Sequence, residues 1–308
     1  MSKAVVFDEY GPPEVMRVVE RLPPWPGRGQ VRVRILAAGV QPIDLAARSG
    51  WNARRRRAAR PPLPQTLGSE FSGVVDAVGE DVEGFALGDA VLGWTMTAAY
   101  AEHVVVGAEQ LAHKPAAVGW YPAAVLPVSG QTAYAVLQAL DIGPDDTLLV
   151  LAGAAGIGNF AVQLGRLRGA TVVATDSEAN LDYLRSLGAV PVADGPWLAR
   201  RIGSAAPQGI TAALDAAGGQ ALDVAIELVR DRHRIATLVD AHRAEELGML
   251  AVRSRPSAER MRELLSLHAE GRLQVHISHA FPLEKAVDAH RLLETRRVRG
   301  KVVLAVDP

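Results

Sequence analysis

The sequence predicts an α/β protein in which a doubly wound parallel sheet interrupts a mainly β region, and three observations carry that expectation. Residues 148–152 form an unbroken apolar run, as a strand buried on both faces does. A small-residue turn follows, and then a stretch of good helix formers over residues 160–167. A second apolar run, 171–175, ends on Asp176. Strand, turn, helix and strand in that order make a parallel crossover unit.

The turn carries the chemistry. Aligned as Gly-x-Gly-x-x-Gly, its key positions are Gly153, Ala155 and Gly158, with Gly156 and Ile157 between. Amides at a helix start must come close to a pyrophosphate, and a misplaced Cβ blocks that approach. A carboxylate about 20 residues further on suits a ribose hydroxyl. Asp176 answers that need, with Ser177 after it, so the unit reads as a dinucleotide-binding crossover. Asp176 would accept hydrogen bonds from the ribose and repel a 2′-phosphate. No base follows before Arg185. Charge therefore favours NADH over NADPH as the cofactor, NADPH remaining the alternative.

Composition sets bounds. The chain of 308 residues is long enough for two domains, is 49% apolar and has a net charge of −1. Such a balance does not favour strong binding to nucleic acid. With no cysteine, disulfides and thiolate metal sites are excluded. The N-terminus runs straight into a strand-like segment without a signal peptide, and no apolar stretch reaches the 18 or so residues of a membrane span. A cytoplasmic protein is the expectation.

Upstream, residues 1–121 read as short strands broken by Gly and Pro. Residues 31–39 alternate and then turn, and further strands are expected at 72–79, 88–93 and 100–106. Arg54, Arg55, Arg56, Arg57 and Arg60 form a charge run before Pro61. It reads as a solvated loop or, more sharply, as an entrance loop that attracts an anion.

Two stretches here, with the nucleotide turn and the tail, resemble a known family. Ala38, Gly39, Val40, Gln41, Pro42, Ile43 and Asp44, with Arg48 and Gly50, are similar to a segment of quinone oxidoreductases. Gly68, Ser69, Glu70 and Phe71, followed by Gly73, Gly79, Gly84, Gly88 and Asp89, resemble the medium-chain dehydrogenase/reductase superfamily. Phe281-Pro282-Leu283 and the run from Arg299 to Leu304 extend the likeness over nearly the whole chain. Zinc enzymes of that superfamily carry His-Glu where this chain has Ser69-Glu70, and cysteines that it lacks. The chain therefore resembles the zinc-free quinone oxidoreductase branch, and no metal residue is expected. Gln41 stands where that branch usually has Asn; both amides can hydrogen-bond a carbonyl, and Gln reaches one methylene further.

The resemblance implies a Rossmann-type domain at 122–269. A GroES-like catalytic and substrate domain would be made of 1–121 and 270–308. It places Thr132 near a nicotinamide, in a helix that Ser129 could cap, and Ala217 beside the cofactor at the end of the fourth strand. The fifth strand is expected at 234–239 and the last at 248–253, the edge that pairs two subunits in a homodimer. Helices are expected at 180–187, 259–269 and 283–295, with a final strand at 300–306. His233, His242, His276, His279 and His290 lack metal-ligand spacing.

The implied activity is hydride transfer from NAD(P)H to a small quinone or α,β-unsaturated carbonyl, without a metal. Donors must then polarise the acceptor oxygen, and the candidate catalytic residues are Gln41 and Tyr100 with Thr132 nearby. Two other readings stay open. One is an enoyl reductase or tailoring enzyme of a biosynthetic pathway. The other is a weakly catalytic protein that senses nicotinamide or binds nucleic acid, which the arginine run alone supports.

Overall fold

The structure, a computed structural model, describes residues 1–50, 63–252 and 254–306. The arginine run at 54–57 lies outside them. The chain divides into two compact units, one formed by Met1–Val128 with Pro256–Pro308 and the other by Ser129–Arg255.

The second unit holds a five-stranded parallel sheet. Its central strand is Thr147–Leu151, flanked by Thr171–Asp176 and Ala212–Asp215, with Val190–Ala193 and Ile235–Thr237 outside them. Strand order therefore reverses beside the central strand, the arrangement of a doubly wound sheet. Thr147–Leu151 is buried at every position, as its unbroken apolar run requires. The helix Gly156–Leu167 returns across the sheet, and its residues from Gly158 to Gly165 are all buried. Gly165 allows that fit, because a Cβ there would stand 3.0 Å from Leu148 Cδ2 and 3.1 Å from Val172 Cγ2. Leu149, Leu151, Val173, Ile202, Leu222 and Ile235 fill the core on the sheet's other side.

In the first unit a seven-stranded sheet is built on the long strand Gln30–Val40. That strand pairs antiparallel with Glu70–Val78, His103–Gly107 and the C-terminal strand Lys301–Ala305. The tail thus returns to the N-terminal part by main-chain hydrogen bonds. A separate three-stranded sheet joins Ser2–Phe7 to Met16–Arg21 and Gln65–Thr66. Phe7, Ile35, Leu67, Phe71, Tyr100, Leu111, Val302 and Leu304 belong to one core.

Local expectations are corrected in two places. The first long strand runs as expected, with one more residue at each end, Gln30 and Val40, before the chain turns at Gln41. Among the described residues, 248–253 form no strand beyond a single parallel bridge between Leu250 and Ala236. Ser129 does not cap the next helix. It lies buried in the π-type turn Leu126–Gly130, and Gly130 occupies the cap position of Gln131–Ala139 without a side-chain bond.

Glycine sets the spacing of the first unit's sheet at Gly73. A Cβ there would lie 2.1 Å from the Arg34 carbonyl oxygen and 2.9 Å from Ile35 Cα, both on the paired strand. Gly73→Ala must push two hydrogen-bonded strands apart. We expect a loss of about 1–3 kcal/mol, the usual cost of overpacking, read as a lower midpoint in urea denaturation. An unchanged midpoint would contradict the pairing of these strands.

Candidate functional site

In the second unit, the candidate site grows out of the contact between the helix Gly156–Leu167 and the end of Thr147–Leu151. Ala152 turns the chain with φ of 60°, and the Gly153 amide donates to the Thr175 carbonyl at 2.8 Å. The helix begins so close to this turn that a Cβ on Gly158 would stand 2.1 Å from the Ala152 carbonyl oxygen. A Cβ on Gly153 would meet that of Ala174 at 2.8 Å. Gly158 is dictated by backbone approach, and Gly153 by the side chains of Ala174, Leu184 and Val162 packed against it. Ala155 is the N-cap and carries no capping side chain.

First-turn amides of a helix have no intrahelical acceptor. Among the described residues, the N–H groups of Gly156, Ile157 and Gly158 have none elsewhere in the fold. The helix dipole adds partial positive charge at the same place. This corner fits an anionic diphosphate.

Asp176 closes the neighbouring strand where the sequence places it, but its carboxylate is already engaged. Oδ2 accepts from the Ala154 amide at 3.1 Å. Oδ1 accepts from the Ser177 amide at 2.8 Å and from Asn180 Nδ2 at 2.7 Å. The acid therefore ties the turn to the strand end while keeping its negative charge there. Asp194 adds a second acid to this edge: its amide donates to the Asp176 carbonyl at 2.8 Å. Burial, and the Asp176 charge with it, holds the Asp194 carboxyl above the ordinary range. Ala217 follows the strand Ala212–Asp215, and its amide donates to Asp215 Oδ1 at 3.0 Å. Thr132 sits half-buried in the first turn of Gln131–Ala139.

In the first unit, the strand Gln30–Val40 ends at Gln41, the N-cap of the helix Pro42–Arg48. Asp44 forms a capping box with it, Oδ2 accepting from the Gln41 amide at 2.9 Å. Gln41 is buried, and its Nε2 donates to Ser69 Oγ at 3.0 Å. Tyr100 is 0% exposed, with its hydroxyl 3.1 Å from Asp44 Oδ2 and 3.2 Å from His290 Nε2. The sequence expectation that Tyr100 presents its hydroxyl to an acceptor is corrected by that burial: the oxygen is enclosed by two side chains. Arg48, also buried, pairs with Glu294. Glu70 is fully buried against Lys301 and the Val128 amide.

Sequence reasoning passed over Asp44, His290, Glu70 and Lys301 as functional residues. Their partners are far away along the chain, so no local spacing announces them.

Electrostatics at this cluster follow from dryness. Burial pushes the Asp44 carboxyl up to about 7, against the lowering pull of the Gln41 amide, the Tyr100 hydroxyl and the Gly68 amide. Burial, and then the nearby Arg48 charge, drives His290 down to about 3, so it is neutral at physiological pH. Tyr100 is held well above its usual range by burial and by Asp44.

Comparison with known proteins places these features in context. The profile of the Alcohol dehydrogenase GroES-like domain matches residues 27–141, and that of the Zinc-binding dehydrogenase family matches residues 187–304. A "Quinone oxidoreductase" of Pseudomonas aeruginosa is 31% identical over 333 aligned positions, covering 99% of this chain and 99% of that protein. The structure of the quinone oxidoreductase from Coxiella burnetii superposes with a TM-score of 0.90 at 31% identity, covering 99% of both chains. The Escherichia coli quinone oxidoreductase complexed with NADPH gives 0.87 at 26% identity, covering 98% of this chain and 99% of that one.

Two outcomes follow. Gly158→Ala forces the helix start away from Ala152, and we expect fluorescence titration to show at least tenfold weaker NADH binding; unchanged affinity would contradict the diphosphate corner. Asp44 gives a pH dependence. Its folded-state pKa lies above the unfolded value near 3.9, so its stabilising contribution is complete below that value and is lost as pH rises through about 7. The non-ionising Asp44→Asn variant, which loses one acceptor, should melt lower than wild type at pH 5. The gap should narrow by pH 8.5 in thermal scans, and a gap that widens would refute the assignment.

Proposed function

The chain belongs to the quinone oxidoreductase-like branch of the medium-chain dehydrogenase/reductase superfamily, and from that premise we propose that it is an NADH-dependent, metal-independent reductase of quinones or α,β-unsaturated carbonyls. The observation that carries the proposal is the trio of acceptorless amides at Gly156, Ile157 and Gly158. Such a set, beside an acid at the next strand's end, suits a dinucleotide.

The second unit holds the nucleotide in this reading. Gly153, Ala155, Gly156, Ile157 and Gly158 receive its diphosphate. Asp176, with Ser177 and the nearby Asp194, sets a negative edge that disfavours a 2′-phosphate. Ala217 and Thr132 flank the nicotinamide end. A bound reduced nicotinamide supplies the hydride. The first unit receives the acceptor, whose oxygen is held by the Gln41 and Ser69 pair. Tyr100 and Asp44 act behind Gln41, fixing the turn from which its side chain departs. Absence of a general base does not stand against hydride transfer to a good acceptor.

A zinc ion, which the name of one matching family implies, does not fit the donors present. Ser69 accepts from Gln41, Glu70 is taken by an ammonium and a main-chain amide, and the chain has no cysteine. Among the described residues no cluster of His, Asp or Glu could hold a metal, and no helix is long and apolar enough to cross a membrane. A homodimer is the proposed assembly. Its joint would be the outer edge of the second unit's sheet, where Leu250 alone bridges the strand Ile235–Thr237.

The deciding experiment is a screen of NADH and NADPH oxidation against quinones, enones and aldehydes, with and without a chelator. Turnover should appear with quinones or enones, survive the chelator and show a lower KM for NADH. Asp176→Ser should move the NADH/NADPH preference at least tenfold toward NADPH. Chelator-sensitive turnover, or a wild-type preference for NADPH, would overturn the corresponding part of the proposal.

A further inference from the structure

One buried ion pair in the first unit is not used by the proposed reaction. Lys301 Nζ lies 3.0 Å from Glu70 Oε1, and the side chains are 4% and 0% exposed. They do not belong to adjacent strands. Glu70 opens Glu70–Val78 and Lys301 opens Lys301–Ala305, with Gln30–Val40 running between them. The carboxylate crosses the middle strand at Gly39, the residue that makes room for it. A Cβ on Gly39 would stand 2.4 Å from Glu70 Oε1, 2.7 Å from Cγ and 2.8 Å from Cδ.

The pair lies at the end of the sheet where the acceptor-side donors gather. Val302 is paired with Val40, and the same register sets Lys301 level with Gln41. Ser69, which accepts from Gln41, immediately precedes Glu70. The second Glu70 oxygen, Oε2, accepts from the Val128 amide at 2.9 Å. Val128 is the last residue of the first unit and lies inside the turn Leu126–Gly130. The next element is the helix Gln131–Ala139, which carries Thr132.

Stability alone is a poor reason for such a pair. Two desolvated charges return little net folding energy against apolar residues of the same volume. A charged carboxylate does hold a main-chain amide more tightly and at shorter range than a neutral group would.

We propose that Lys301 and Glu70 are positioning residues for hydride transfer: the ammonium holds the carboxylate in place, and the carboxylate pins the Val128 amide and with it the turn that sets Thr132. This rests on the reading that Thr132 flanks the nicotinamide. The pair governs the rate of transfer, while nucleotide affinity depends on the separate corner at residues 153–158.

The test uses Glu70→Gln and the double variant Glu70→Gln/Lys301→Met. The double variant removes both charges of the pair. Glu70→Gln keeps the shape and an acceptor for Val128 but strips Lys301 of its counter-ion, so it is the second variant and its kcat is read against its melting temperature. Each is measured for melting temperature, NADH affinity by fluorescence titration, and kcat with NADH and 1,4-benzoquinone, with (4-²H)NADH to report the hydride step. The expected result is a double variant that melts within a few degrees of wild type and binds NADH within twofold. Its kcat should fall at least tenfold, with a larger primary isotope effect. Active wild type and a folded double variant that turns over within twofold of it would overturn the pair's role alone. Loss of NADH affinity in step with kcat would overturn it as well. Wild type that oxidises no NADH with any acceptor overturns the reductase reading, and the pair's role in transfer with it.

Discussion

The close approach of the Gly158 backbone to the Ala152 carbonyl is the constraint on which the second unit depends. It seats the first turn of the helix Gly156–Leu167 directly against the backbone at the end of the central strand. It also leaves the first-turn amides, among the described residues, without an acceptor at the carboxyl end of the central strand. Packing and binding are therefore one requirement. A bulkier residue at the turn would spoil the helix seat before it obstructed a ligand. Asp176 serves the same geometry by binding the Ala154 and Ser177 amides, so its charge is held fixed at the edge of the turn.

The first unit solves a different problem. It must keep polar groups in order inside a dry sheet, and it does so by sharing partners. Asp44 alone receives the Gln41 and Gly68 amides and lies against the Tyr100 hydroxyl. His290, neutral because it is buried beside Arg48, completes the chain. A carboxyl poised at about 7 in this setting is a consequence of desolvation that three hydrogen bonds only partly offset. The energy held in such a network exceeds what any single pair would return. It fixes the N-cap at Gln41, and therefore the direction in which that side chain leaves the helix start.

These two solutions differ in how far the sequence reveals them. The crossover at residues 147–176 is legible because all of its parts are local: an apolar run, small residues at a turn, a helix and an acid arrive in order. The fifth strand is legible for the same reason, though it is shorter than its apolar run, ending at Thr237, whose Oγ1 accepts from the Val239 and Asp240 amides. Of the expected last strand at 248–253, the described residues keep a single bridge, Leu250 to Ala236. Tyr100 offers, on sequence alone, a hydroxyl that could reach an acceptor. Its burial is decided by Asp44, 56 residues away, and by His290, 190 residues away. Neither separation leaves a periodic trace in the chain.

Glu70 and Lys301 show why the illegible part matters. In the sequence Glu70 belongs to a superfamily-like segment and Lys301 to a tail strand that extends the likeness, and nothing local joins the two. Placed two strands apart over Gly39, they become an ion pair that nothing local requires. The missing Cβ on Gly39 is the enabling feature, since any side chain there would occupy the path of the carboxylate. Three positions far apart in sequence therefore have to agree for one charge to sit inside the sheet. Substituting any one of them alone brings either a clash or a buried charge that has lost its counter-ion, which is costly. A lone change at Glu70, Lys301 or Gly39 thus tests folding and function together, and only a change that removes both charges separates the two.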